Sequence, residues 1–240
     1  MKKKIILISS FDALASLSCS NLFSKSNDFS IIGAVKINTP LKKRLQLSAK
    51  AIKSGSFFYL PYIFLEQTLP KFIFKIHHLR RPASMKVADL EKLCVENKVP
   101  IYSTSNLNSQ ETIRYIKNIN PDLILSVRPV QILRSLLISS CPPIVNLHCT
   151  LLPNYRGIGG ILQSLAAGES YLGCSVHQIT SEEVDRGPIW AQTKVKAYSG
   201  KSVFFHTFVL FRQARCTIDE ALRNFFSGET PLPNTNGSLF

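Results

Sequence analysis

Near the middle of the chain an apolar run, Ile144-Val145-Asn146-Leu147-His148, ends with an amide and an imidazole set two residues apart. In a strand, residues at that spacing face the same way, so Asn146 and His148 would stand side by side where the strand runs out. A carboxylate, Asp185, follows in a short loop between two extended runs, and Arg186-Gly187-Pro188-Ile189 directly after it would fix its direction. An amide that can donate, an imidazole that can give or take a proton and a carboxylate that can receive one suit general acid–base work. Taken singly, each is an ordinary strand-end or turn residue. The chemistry depends on whether the fold brings them together.

Apolar runs and breakers indicate the elements that must do so. Lys4–Ser9 and Ser30–Lys36 read as strands, Val87–Asn97 as an amphipathic helix, Pro100–Tyr102 as a short strand, and Asn108–Asn118 as a helix that Ser109 can cap. Leu123–Val127 and Ile144–His148 have the continuous apolar character of central parallel strands, with a helix over Gly160–Ala167 behind the second. This alternation predicts an α/β fold, a mostly parallel sheet flanked by helices. Beyond Gly168 the pattern changes: Gly173–Thr180 and Pro188–Ala197 predict a β-hairpin, and Lys201–Phe226 a closing helix. Open parallel sheets bind ligands at the carboxyl ends of their strands, where Asn146 and His148 fall.

Composition bounds what such a fold can be. The 240 residues suit one domain over 1–228, with a loose tail at 229–240 rich in Pro, Asn and Ser. Six scattered cysteines without a C-x-x-C suggest neither a zinc cage nor a disulfide framework, and so a reducing, cytoplasmic compartment. No His/Cys/Asp/Glu spacing points to a metal, and His77, His78 and His206 belong to no motif. The start, MKKKIILISSFDALASLSCS, superficially resembles a secretory leader, but Asp12 interrupts the apolar run too early and a first strand fits better.

The net charge of +14 is concentrated: Lys36–Lys86 holds eleven Lys/Arg against one acid, Glu66. The same segment carries the apolar, aromatic clusters Phe57–Leu65 and Phe72–Phe74, which Pro61, Glu66, Gln67, Pro70 and Lys71 divide. No run reaches the roughly 20 apolar residues of a membrane-spanning helix. A basic, aromatic insertion at about 37–86 would suit an anionic surface, either sugar-nucleotide phosphates or lipid head groups. The alternative is a pair of helices packed on the sheet with lysines facing water.

Two motifs together carry a resemblance to a family. Asn146-Leu147-His148 followed by Leu151-Leu152-Pro153, and Asp185-Arg186-Gly187-Pro188-Ile189 preceded by Gly173-Cys174-Ser175-Val176-His177, resemble the folate-dependent formyltransferases. That family includes glycinamide ribonucleotide, methionyl-tRNA and amino-sugar enzymes. The resemblance covers about residues 120–195 and implies a Rossmann-like formyltransferase fold, with N10-formyltetrahydrofolate as co-substrate and no metal. It implies Asn146, His148 and Asp185 as the catalytic group. Asn146 and His148 would stabilise the developing oxyanion, and Asp185 would raise the imidazole's pKa and take the amine proton directly or through water. Val130-Gln131-Ile132-Leu133 resembles the pterin-binding turn, with the Ser181–Asp185 loop on the opposite wall and Asp185 facing the co-substrate. Ser10, Phe11, Asp12, Tyr155 and Arg156 are expected on the acceptor side, and His177 either supports the site or packs. Cys149-Thr150 departs from the family's usual Pro-Ser. The loop from His177 to Asp185 is one residue longer than in many relatives, which leaves Glu183 as a substitute for Asp185.

The acceptor would be a primary amine. Ser9-Ser10-Phe11-Asp12 lacks the glycines of a phosphate loop, which disfavours glycinamide ribonucleotide. The chain ends soon after its last expected helix, without the further domain usual in methionyl-tRNA enzymes, although the positive charge would suit tRNA. A nucleotide-linked amino sugar remains. Alternatives are a methionyl-tRNA formyltransferase-like catalytic domain, or a non-catalytic membrane- or nucleic-acid-binding module on the same scaffold.

Overall fold

A computed structural model describes residues 2–24, 28–38 and 89–235. The reading of 37–86 as a basic insertion therefore falls almost wholly outside the described residues, as does the start of the helix expected from Val87. In chain order the elements are β1 (Lys3–Ser9), α1 (Ala13–Cys19), a 3-10 turn (Ser20–Phe23), β2 (Phe29–Ile37), α2 (Leu90–Glu96), β3 (Ile101–Thr104), α3 (Gln110–Ile119) and β4 (Leu123–Val127). They continue with α4 (Ser135–Ser140), β5 (Ile144–His148), α5 (Gly160–Ala166), β6 (Tyr171–Ile179), β7 (Ile189–Lys196) and α6 (Val203–Ser227). The strands form one sheet in the order β3-β2-β1-β4-β5-β6-β7. Pairing is parallel from β3 to β5 and antiparallel from β5 to β7. The Rossmann-like, mostly parallel sheet with its hairpin and closing helix is thus the observed architecture.

Period-two alternation explains why the central strands are apolar throughout. Along β1, Ile5 and Leu7 enter one core cluster with Leu14, Leu210 and Phe211, while Ile6 and Ile8 enter the other with Ile113, Ile116 and Leu137. Each strand is sandwiched, so a polar residue on either face would meet apolar packing. Asn146, in the middle of β5 and buried, and His148 at its end are met by polar partners and not by apolar packing alone: His177, Asp185 and the Tyr155 carbonyl. Ser109 caps α3, accepting from the Thr112 N–H, and Asn120 ends it in the left-handed conformation at φ +51°.

Two helices were not read from the sequence. The seven-residue α1 is started by Asp12, whose carboxylate accepts from the Leu14 and Ala15 N–H groups. The six-residue α4 has no side-chain cap hydrogen bond, though its first N–H meets Glu182 from a distant loop. The stretch after Gly228, expected to be loose, is tied down at two points. Leu232 exchanges both main-chain hydrogen bonds with Ile189, and Asn234 is buried between exposed Pro233 and Thr235. No described helix is long and apolar enough to cross a membrane.

Candidate active site

The register of β5 on β6 sets Asn146 opposite His177, which brings a second imidazole to the amide. Asn146 Nδ2 lies 3.3 Å from His177 Nε2. Asp185 arrives from the β6–β7 loop and places its carboxylate between the two rings, Oδ1 at 3.2 Å from His177 Nε2 and Oδ2 at 3.4 Å from His148 Nδ1. The residues predicted from separate motifs therefore meet in one cluster. Glu183 is exposed and faces Arg186 at 3.8 Å, so Asp185 is the carboxylate that reaches the strand end.

The loop's shape has local causes. Asp185 adopts a left-handed backbone at φ +53°, and its Oδ2 accepts from the Gly157 N–H at 2.8 Å. At Gly187 an added Cβ would run into the Gln178 carbonyl, so the loop can return along β6 only with glycine there. The Gln178 N–H then donates to the Pro188 carbonyl at 2.8 Å and opens the hairpin.

Burial opposes ionisation of Asp185, but the hydrogen bond from His177, the charge of His148 and the Gly157 N–H outweigh it and bring its pKa down to about 2. Burial also holds His148 below the ordinary imidazole value, because Asp185 and the Tyr155 carbonyl offset it only in part and His177 adds to the depression. Asp185 thus pulls His148 upward, as the sequence implied, but desolvation wins and the net direction is down. His148 Nε2 lies 3.0 Å from the Tyr155 carbonyl, an acceptor, so the neutral ring carries its proton there. Its Nδ1 lone pair is then left beside the Asp185 carboxylate, and the pair is built to receive one proton.

Asn146 Oδ1 is buried and has no hydrogen-bond partner among the described residues. The two ends of an amide have the same shape. His177 Nδ1 lies 3.2 Å from the Gln178 carbonyl and Nε2 faces both Asp185 Oδ1 and Asn146; in the form with an Nε2–H for the carboxylate, a half-turn of the Asn146 amide sets its oxygen against that N–H and turns Nδ2 toward the unpaired position.

The other predicted residues divide. Val130 and Ile132 are half exposed, at 46% and 49%, and offer an apolar rim beyond the end of β4. Leu133 packs in the core, and Gln131 ties its amide to Ser105 and Leu107, so these two support the turn and do not line it. The opposite loop is fastened to this wall through Glu182, which accepts from the Ser135 N–H (2.8 Å) and Ser135 Oγ (2.6 Å) and pairs with Arg134 (2.6 Å). These bonds hold its pKa at about 2.

Of the residues expected on the acceptor side, Asp12 caps α1, accepts from Ser10 Oγ and forms an ion pair with Arg128 at 2.8 Å. Phe11 is buried. Tyr155 directs its hydroxyl to Glu169 and contributes its carbonyl to His148. Arg156 is fully buried, and its guanidinium donates to the main chain of Asp185 and to Asn234, where its charge had suggested an acceptor contact. Arg128, Glu182 and Asn234 were missed by sequence reasoning, which had no local period to mark them. Among the described residues no group of three or more His, Cys, Asp or Glu could hold a metal ion.

At one strand end of a mostly parallel sheet, an amide, two imidazoles and a carboxylate stand within hydrogen-bonding reach of one another, a set suited to acid–base chemistry. The formyl transferase family model matches residues 75–203, more than half of the chain, and the chain belongs to that family. It is 31% identical over 125 residues to the bifunctional polymyxin resistance protein ArnA of Wigglesworthia glossinidia brevipalpis, a match covering 50% of this chain and 19% of the relative. It is 27% identical over 145 residues to the methionyl-tRNA formyltransferase of Kosmotoga olearia, covering 60% and 46%. The matched region thus spans less than half the length of either relative. The phosphoribosylglycinamide formyltransferase structure from Coxiella burnetii has a TM-score of 0.65 at 16% identity, covering 98% of this chain and 92% of that one. A sugar N-formyltransferase from a Shewanella species has a TM-score of 0.59 at 16% identity, covering 99% and 77%. At such identities these two structures speak for the fold.

Proposed function

We propose that the protein is an N-formyltransferase that moves a formyl group from N10-formyltetrahydrofolate to the primary amine of a nucleotide-linked amino sugar. The observation that carries this reading is the Asp185 carboxylate set between His148 and His177 beside Asn146, at a strand end of a chain in the formyl transferase family. The residues present fit a folate co-substrate: a buried amide with one unpaired end, and a half-exposed aliphatic rim at Val130 and Ile132. That rim and the main chain of 130–133 would hold the pterin, with Asp185 facing them.

The co-substrate supplies an activated formyl carbon. Asn146, in its rotated form, donates Nδ2–H to the oxygen that gains negative charge as the amine adds, a contact of a kind worth about 10²–10³ in rate. As the bond from the amine to the formyl carbon forms, the amine gives up a proton to the Asp185 carboxylate, directly or through water, and the pair formed with His148 Nδ1 shares it. The same proton goes to N10 as the bond from the formyl carbon to N10 breaks. His177 fixes the other carboxylate oxygen and so the direction of Asp185.

A sugar N-formyltransferase is among the fold neighbours, as are phosphoribosylglycinamide formyltransferases, and the choice of an amino sugar rests on the turn after β1. Glycinamide ribonucleotide is disfavoured by the turn after β1, where the Asp12 carboxylate stands in place of a phosphate-cradling glycine loop. The test is a spectrophotometric assay for tetrahydrofolate release with nucleotide-linked amino sugars, glycinamide ribonucleotide and methionyl-tRNA as acceptors. Turnover with the amino sugar, lost by at least about 10² in His148→Ala, is the expected result. Turnover with none of the amines, or at a wild-type rate in His148→Ala, removes the proposal.

A further inference from the structure

Asp185 is held in place from behind by residues that do not line the site. A non-glycine residue in the left-handed region is strained by roughly 1–2 kcal/mol, and the surroundings must over-determine it. They do so here through three contacts. The Asp185 carbonyl accepts from Arg156 Nε at 3.2 Å and from Asn234 Nδ2 at 2.8 Å. The second N–H of the Asn234 amide serves the Gly187 carbonyl, also at 2.8 Å, so one amide spans the loop at residues 185 and 187. Asn234 in turn accepts from Arg156 Nη2 with both Oδ1 and its own carbonyl, each at 3.0 Å.

These bonds fix the Asn234 amide without ambiguity, because its nitrogen faces two carbonyls and its oxygen faces a guanidinium. Arg156 also precedes Gly157, whose N–H holds the Asp185 carboxylate. The Arg156-Gly157 pair therefore grips Asp185 by its carbonyl and by its side chain, and Asn234 closes the grip from a segment 49 residues further along.

We infer that Asn234 and Arg156 are positioning residues for Asp185, a clamp through which the segment after the last helix sets the reach of the carboxylate to both imidazoles. The inference deepens the proposed function and rests on it for the role of Asp185. Its geometry stands apart from the reaction. The groups facing His148 are Asp185 from the β6–β7 loop, His177 from β6 and the Tyr155 carbonyl. Releasing Asp185 removes the larger of the two contributions that draw the His148 titration upward and leaves the Tyr155 carbonyl alone against burial and His177, which both lower it.

The test follows the imidazole Cε1–H resonances by NMR across pH, with circular dichroism as the check on folding. In Asn234→Ala the His148 midpoint is expected to move to lower pH, and kcat to fall about tenfold while the KM for the formyl donor stays within about twofold. Asn234→Asp keeps the size and the acceptor for Arg156 but loses both donors to the loop. It is expected to show the same displaced midpoint with a smaller loss of thermal stability. A wild-type His148 titration in both variants overturns the clamp, whatever their melting temperatures. If Asp185→Asn leaves formyl transfer intact, the proposed reaction falls, whereas a displaced midpoint in Asn234→Ala upholds the clamp even then.

Discussion

Replacing Asp185 by Asn removes a charge and leaves nearly the same shape, which makes it a sharp probe of the cluster. The carboxylate pKa of about 2 in the folded protein lies below the ordinary aspartate value of about 3.9, a gap worth up to about 2.5 kcal/mol of stability while the imidazoles are charged. The contribution of a depressed carboxylate is present above the unfolded value and is lost as pH falls through the folded one, and the share owed to imidazole charge fades again as the rings lose their protons. Urea unfolding should therefore find the deficit of Asp185→Asn largest between about pH 4 and the His148 midpoint, shrinking to about half near pH 3 and falling toward pH 7 to what the Gly157 N–H and the His177 hydrogen bond supply. The side chain is only 11% exposed, so solvent screening takes little from this figure. A variant as stable as wild type near pH 5, or a deficit that does not change with pH, would refute the reasoning that the imidazoles hold the carboxylate ionised.

Three further outcomes are expected. Because His148 is held below the ordinary imidazole value and acts through a neutral Nδ1, the acid limb of kcat/KM should have its midpoint below about pH 6.5, with activity lost as pH falls through it; a midpoint above that value counts against the neutral ring. Glu182→Ala unfastens the loop from Ser135 and Arg134 and should raise the KM for the formyl donor about threefold or more with kcat nearly unchanged, as read from initial rates; an unchanged KM would show that this tie does not shape the donor wall. Gly187→Ala forces a methyl against the Gln178 carbonyl and should cost about 1–3 kcal/mol in denaturant unfolding, which unchanged stability would contradict.

The sheet was legible because parallel strands covered on both faces must be continuously apolar, and Leu123–Val127 and Ile144–His148 stand out for that reason. Asn146 and His148 were legible from the period of two, and Asp185 from a loop bounded by extended runs. Arg156 was not. Its charge suggested an acceptor contact, whereas its partners at 185 and 234 lie 29 and 78 residues away, a separation that no local periodicity encodes. The helices α1 and α4 are too short to display a helical stripe, although Asp12 was a readable cap for the first. Proline and asparagine made the stretch after Gly228 look loose, yet the buried Asn234 there supplies both donors that the Asp185 loop needs.

The bridge between Leu232 and Ile189 bears on a hazard common to sheet proteins, the exposed row of unpaired main-chain groups along an outermost strand. Among the described residues β3 and β7 occupy the two flanks of the sheet. β3 is only four residues long and gives an incoming chain little to grip. β7 is twice that length, but its first residue is already engaged by Leu232, and Lys194 and Lys196 stand at its far end. A strand approaching from another molecule would have to displace the first contact and bring its own backbone past two ammonium groups, both of which disfavour sheet extension. The segment that steadies Asp185 therefore also guards the hairpin against intermolecular strand addition, and cutting it before Leu232 should make the protein more prone to aggregate on concentration.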